Sequence, residues 1–201
     1  MNVALYFGSF NPIHVGHLVI ANYIATHHSV DQVWMVVSPH NPLKEKSSLL
    51  KDHHRLALVK EAIDSNSKLR ASDIEFGLEQ PNYTAKTLAH LKEKYPNHTF
   101  SIIMGEDNLR TFDKWYNFES ILSNHQLFIY PRVYQAGEII HQNLGQKDYF
   151  NHSNIVFCKD APMMNISSSY IRNAIKNKQD VQYLLTPATL KYVEEMGFYK
   201  D

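Results

Sequence analysis

Short runs of apolar, β-forming residues alternate along this chain with longer stretches whose apolar positions repeat at helical spacing. Val3–Phe7 (VALYF) is a continuous apolar run ending at Gly8 and reads as a buried strand. His17–Ala25 follows, with Leu18, Ala21, Ile24 and Ala25 at helical intervals. Val33–Val37 (VWMVV) reads as a second buried strand. A polar, proline-bearing loop from Pro39 to Lys51 leads to Asp52, placed as the N-cap of a helix carrying Leu56, Val59, Ala62 and Ile63. Leu69–Phe76 predicts a third strand. Thr84 is placed to cap a helix with Leu88 and Leu91 that stops before Pro96, and Thr99–Met104 predicts a strand closed by Gly105. Leu127–Tyr130 and Ile155–Phe157 complete the strands. At the far end Thr186-Pro187 opens a helix and Gly197 closes it, with proline in the first turn and glycine past the last.

Strands alternating with helices predict an α/β fold built on a doubly wound parallel sheet. One domain over residues 1–201 is expected, with a helical C-terminal portion, about 167–201, packed on it. Ligands of such sheets bind at the carboxyl ends of the strands, near the reversal of strand order. Functional segments should therefore follow strands.

Composition narrows the classes. Hydrophobic residues make up 44% and charged residues 20%, which argues against disorder and coiled coil. No apolar run approaches the roughly 20 residues of a membrane-spanning helix, and the N-terminus lacks the basic start and cleavage site of a signal peptide. The one cysteine, Cys158, cannot close an internal disulfide, so a reducing compartment, the cytoplasm, is expected. With 20 basic and 20 acidic residues the net charge is zero, which speaks against a nucleic-acid partner held through phosphates. An anionic ligand would have to be met by a few placed cations and backbone amides. Most of the twelve histidines, including His27-His28 and His53-His54, are expected on the surface or in loops.

Directly after the first strand stands G-S-F-N-P-I-H-V-G-H-L, residues Gly8 to Leu18. Gly8 permits a tight turn and close backbone approach by a ligand phosphate. Ser9 supplies a hydroxyl and an amide, Pro12 stiffens the loop, and Gly16 lets a ligand near the backbone as the helix begins. His14 and His17, three residues apart, can face one strand-end cleft, where the helix N-terminus adds free N–H groups and partial positive charge. Such a site suits developing negative charge. His14, His17 and Cys158 do not make a recognisable zinc set. Far along the chain, I-S-S-S-Y-I-R (Ile166–Arg172) places Ser167 and Ser168 as caps of a helix whose free amides, with Arg172, can hold phosphates.

On these two segments the chain resembles the nucleotidylyltransferase superfamily, whose H-x-G-H element binds ATP phosphates. Across nearly its whole length it is similar to the bacterial nicotinate-nucleotide adenylyltransferases. The resemblance implies a Rossmann-like nucleotidyltransferase fold and transfer of the adenylyl group of ATP to nicotinate mononucleotide, giving deamido-NAD and pyrophosphate. It implies Mg²⁺ held through the ATP phosphates, with no protein metal ligands identifiable. Gly8, Ser9, Phe10, Gly16, Ser167, Ser168 and Arg172 are then expected to bind ATP. His14, His17, Lys44 and Arg172 are expected to stabilise the reacting phosphates. His40-Asn41-Pro42-Leu43-Lys44 resembles the family loop that carries a phosphate-binding lysine, and Arg55 lies in the family's H-R-L context.

Asn82-Tyr83-Thr84 resembles the segment that meets the nicotinate ring with a backbone amide. Gly105–Leu109 with Trp115 resembles the one supplying a polar contact, here Asp107, and an aromatic platform. A flat pyridinium ring suits stacking and cation–π attraction on Trp115, and its carboxylate suits amide donors at Tyr83 and Thr84 and the guanidinium of Arg132. Two features depart from the family pattern. Phe7, Gly8, Ser9 and Asn11 stand where two glycines, threonine and aspartate are usual, and Glu106 stands in place of a small residue. Alternatives are a relative acting on nicotinamide mononucleotide or 4′-phosphopantetheine, or a non-catalytic nucleotide sensor. The sequence leaves homo-oligomerisation open.

Overall fold

The computed structural model describes residues 1–39, 49–131 and 147–200. Lys44, Arg132 and most of the loop expected over 39–51 lie outside these residues. Among the described residues one sheet holds six parallel strands, β1 (Asn2–Gly8), β2 (Gln32–Val37), β3 (Leu69–Ser72), β4 (Thr99–Gly105), β5 (Leu127–Tyr130) and β6 (Ile155–Phe157). Their order across the sheet is β3-β2-β1-β4-β5-β6. The order reverses between β1 and β4, which pair from Asn2 opposite Thr99 to Tyr6 opposite Ile103. The crevice of a doubly wound sheet opens at that switch.

Side chains alternate across each strand, and this alternation builds two cores. Ala4 and Tyr6 of β1, with Val33 and Met35 of β2, face α1 (Val15–His27), α2 (Asp52–Ile63), α6 (Ser168–Lys176) and α7 (Pro187–Glu195). Val3 and Leu5, with Trp34 and Val36, face α3 (Thr84–Lys94) and α5 (Phe118–Asn124). Both faces of the sheet are therefore covered, which explains why β1 and β2 read as unbroken apolar runs. A single-turn helix, α4 (Glu106–Leu109), follows β4 directly.

Three local expectations need correction. The third strand stops at Ser72 because Asp73 turns the chain, its carbonyl accepting from Phe76 N–H at 2.9 Å. Asp52 is the first helical residue of α2, after Lys51; its carboxylate turns to Arg55 at 2.6 Å instead of capping. Thr84 likewise begins α3 inside the helix, with Tyr83 at the cap position and no side-chain cap bond. By contrast Thr186 caps α7, its hydroxyl accepting from Thr189 N–H at 3.2 Å, with Pro187 in the first turn.

Candidate active site

The loop leaving β1 is shaped by a folded-back phenylalanine. Phe10 takes the left-handed φ of 45° and is buried, its ring edge-on to Tyr6 (5.9 Å) and His17 (5.1 Å). A Cβ on Gly8 would come within 2.8 Å of that ring. Gly8 thus leaves room for the folded-back Phe10 ring, which fills the space a side chain there would need. Ser9, half-buried, turns its carbonyl to the guanidinium of Arg55 at 2.6 Å.

His14 and His17 stack with ring centroids 3.8 Å apart and planes 28° apart. The backbone N–H of His14 donates to Nδ1 of His17 at 3.3 Å. A neutral imidazole that accepts at Nδ1 carries its proton on Nε2, so His17 is set as an Nε2–H donor. Gly16 provides the space for the stack, since a Cβ there would stand 3.0 Å from Nδ1 of the buried His14. Tyr6, Gly16, His14 and His17 line one cleft with Ile20, Tyr130 and Pro131 from the end of β5, and with Met164 and Ile166 ahead of α6. The Tyr6 and Tyr130 hydroxyls meet at 3.3 Å on its wall.

The second motif is fastened onto the first. Ser167 alone caps α6, accepting from Tyr170 N–H at 3.1 Å; Ser168, expected as a second cap, instead donates from Oγ to the Pro12 carbonyl at 2.9 Å. Arg172 donates to the Asn11 carbonyl at 2.9 Å and to Ser169 Oγ at 3.2 Å. The Asn11 side-chain oxygen accepts from Leu50 N–H (3.2 Å) and the Tyr199 hydroxyl (2.9 Å). Burial pushes the Tyr199 phenol upward, so it remains a donor. Asparagine at position 11 supplies this buried acceptor without the desolvation cost of a carboxylate.

Beyond its family context, nothing in the sequence around Arg55 assigns it a function. Its side chain is 0% exposed and donates to the carbonyls of Leu50, Ser9, Ser38 and Pro39 as well as to Asp52. It pins the loop after β1 to the segment after β2. Asp52 three residues earlier was the one local signal, since an i,i+3 carboxylate is what a buried guanidinium requires.

On the other side of the sheet, Tyr83 stands at the head of α3 with its ring 5.1 Å from Tyr116, the neighbour of Trp115. Those two expected acceptor segments are therefore adjacent. Trp115 is half-buried with its ring against Phe112 at 5.5 Å, and Asp107 is half-buried in α4. Glu106 is buried at the first position of α4. Cys158, buried beside His28, has its thiol pushed up to about 12 by burial, which suits a packing residue and not a nucleophile.

The cytidylyltransferase-like family model matches residues 5–174, which span both motifs. A "probable nicotinate-nucleotide adenylyltransferase" of Flavobacterium psychrophilum is 52% identical over 200 residues, covering all of both chains. A protein of the same name from Flavobacterium johnsoniae is 51% identical over the same span. Among solved structures, a Plasmodium falciparum nicotinic acid mononucleotide adenylyltransferase complexed with NaAD superposes with a TM-score of 0.76 over 98% of this chain and 97% of its own, at 22% identity, which bears on the fold. The chain belongs to the cytidylyltransferase-like family and, within it, to the nicotinate-nucleotide adenylyltransferases.

Proposed function

We propose that this chain transfers the adenylyl group of ATP to nicotinate mononucleotide, forming deamido-NAD and pyrophosphate, a step of NAD biosynthesis. An oxygen of the acceptor 5′-phosphate attacks the α-phosphorus in line. The bond from that phosphorus to the bridging oxygen breaks, and pyrophosphate leaves with the electron pair. Such transfers ask for alignment and charge stabilisation and little covalent work from the protein. The observation that carries this reading is the fastening of two distant motifs at one strand-end cleft, Ser168 to Pro12 and Arg172 to Asn11.

In this reading His17 donates from Nε2 to a phosphate oxygen as charge builds, and His14, stacked on it, holds its plane and shares the load. Gly8, Ser9 and Phe10 offer backbone groups, and Gly16 keeps the floor of the cleft low. The N-terminus of α6, opened by Ser167 and Ser168, presents amides to the outer phosphates beside Arg172. Lys44 adds a further cation and Arg132 meets the acceptor. Tyr83, Thr84, Asp107 and Trp115 form the acceptor half of the site. Magnesium, held through the ATP phosphates, would supply neutralisation of their charge. The donors assigned here, imidazoles, helix amides and a guanidinium, match phosphate oxygens.

No helix among the described residues is long and apolar enough to cross a membrane, and we place the enzyme in the cytoplasm on its single buried thiol. The test is pyrophosphate release with ATP and, separately, nicotinate mononucleotide, nicotinamide mononucleotide and 4′-phosphopantetheine. Strong preference for the first is expected. Equal rates with the first two overturn the acid preference, and turnover with the third alone overturns the acceptor assignment.

A further inference from the structure

Outside the cleft, the structure buries a second carboxyl that the mechanism above does not use. Glu75 lies in the turn after β3 and is 2% exposed. Its Oε1 accepts from Thr87 Oγ1 at 2.7 Å, and Thr87, itself 0% exposed, sits in the early turns of α3. The same hydroxyl lies 3.3 Å from the carbonyl of Tyr83, the residue at the head of that helix. The backbone of Glu75 is also engaged. Its carbonyl accepts from Asn82 Nδ2 at 3.2 Å and from Leu78 N–H at 3.3 Å. One residue thus closes the 75–82 loop with its backbone and grips the following helix with its side chain.

Burying a carboxyl costs several kcal/mol unless its partners are well placed. Burial raises the Glu75 pKa, while hydrogen bonds from the hydroxyls of Thr87 and Ser38 pull the other way. A leucine would fill this space without that cost if packing were the only requirement. What the carboxyl adds is direction, because a 2.7 Å hydrogen bond fixes where the first turns of α3 stand relative to the sheet. Tyr83 and Thr84 ride on that turn.

We infer that Glu75 is a positioning residue for the acceptor half of the site, acting through Thr87 to hold the backbone at Tyr83 and Thr84 where the acceptor's ring is received. The inference rests on the proposed adenylyl transfer to nicotinate mononucleotide. The residues assigned to ATP belong to the loop after β1, the head of α1 and α6, and none of them bonds the Glu75 carboxyl; Ser38, which also meets that carboxyl, reaches them only through its backbone N–H, on the Gly8 carbonyl at 2.9 Å. The consequence is a selective effect on the acceptor.

Initial rates with each substrate varied in turn, on wild type, Glu75→Ala, Glu75→Gln, Thr87→Val and Thr87→Ser, test it, with a thermal melt on each protein. Glu75→Ala and Thr87→Val are expected to raise KM for nicotinate mononucleotide about 10- to 100-fold, the worth of one buried hydrogen bond to an ionisable group, with KM for ATP within about threefold of wild type. Glu75→Gln and Thr87→Ser keep an acceptor and a hydroxyl respectively, and should restore KM to within about threefold. Thr87→Val leaves the carboxyl in place and decides the matter if Glu75→Ala does not fold. An unchanged acceptor KM in folded Thr87→Val, or an equal rise in both KM values, overturns the inference. Glu75→Gln as impaired as Glu75→Ala would assign the effect to charge and overturn it too. Wild-type protein that makes no dinucleotide from this acceptor defeats the functional reading instead, whatever the variants do.

Discussion

The guanidinium of Arg172 donates a 2.9 Å hydrogen bond to the backbone carbonyl of Asn11, 161 residues earlier in the chain. With Ser168 bound to the next carbonyl, that of Pro12, it fastens the second motif, whose Ile166 lines the cleft, onto the loop of the first. Arg172→Lys keeps a charge and loses the planar fork that reaches Asn11 and Ser169 together. We expect kcat/KM for ATP to fall at least about tenfold in steady-state assays, the loss of one charge-assisted hydrogen bond. Wild-type kinetics would remove Arg172 from the site.

His17→Ala removes the Nε2 donor and half of the imidazole stack. Loss of one such donor lowers turnover roughly 100- to 1,000-fold. Circular dichroism should remain that of the folded protein, because His17 is half-buried at the cleft edge. Near-normal turnover in the purified variant would refute the assigned role.

Gly16→Ala separates activity from stability. Alanine at the second position of α1 favours the helix over glycine by at most about 1 kcal/mol. Its Cβ would stand 3.0 Å from His14 Nδ1, so the ring must yield and carry its stack on His17 with it. Turnover should drop at least about tenfold while the melting temperature holds or rises. A variant with both properties unchanged would show that the ring moves without consequence.

Arg55→Met leaves four backbone carbonyls and the Asp52 carboxylate without their donor. The Asp52 carboxylate is 41% exposed and can turn to water, but each buried carbonyl left unsatisfied costs about 1–3 kcal/mol. Urea unfolding should show that loss, and KM for ATP should rise because Ser9 is released. Arg55→Lys, a point charge with three donors, should recover only part of the stability.

His28 and His54 are both held below the usual histidine pKa of 6.5, by burial first and by neighbouring charges second, His27 for one and His53 and Lys51 for the other. The unfolded chain accepts these protons before the native protein does. Their effect on stability is absent above about pH 6.5, and stability declines as pH falls below that value until the native pKa values are reached. Glu75, with its raised pKa, carries the opposite sign and is common to every protein compared. Urea midpoints at several pH values should fall less steeply for the His28→Gln, His54→Gln double variant than for wild type. Equal slopes would exclude these two rings as the cause.

Much of this was legible in residue order. β1 and β2 are buried on both faces, so their apolar runs are unbroken, and Leu127–Tyr130 and Ile155–Phe157 were placed to the residue. The strand, tight loop and H-x-G-H spacing marked the cleft because all its parts are local. The segment from Glu106 to Asn124 was less readable. Its single-turn helix, the 3₁₀ turn at Phe112–Lys114 and α5 are too short for a hydrophobic period to register.

What sequence alone determined is the alternation of strands and helices and the chemistry offered by two motifs, since both depend on neighbours a few positions apart. Tertiary structure decided the rest. It turned Ser168 from an expected cap into an anchor on Pro12, gave the space beside Gly8 to Phe10, and buried Arg55 among carbonyls from three segments. A backbone carbonyl carries no residue identity, so nothing in the order of side chains reveals which distant donor will find it.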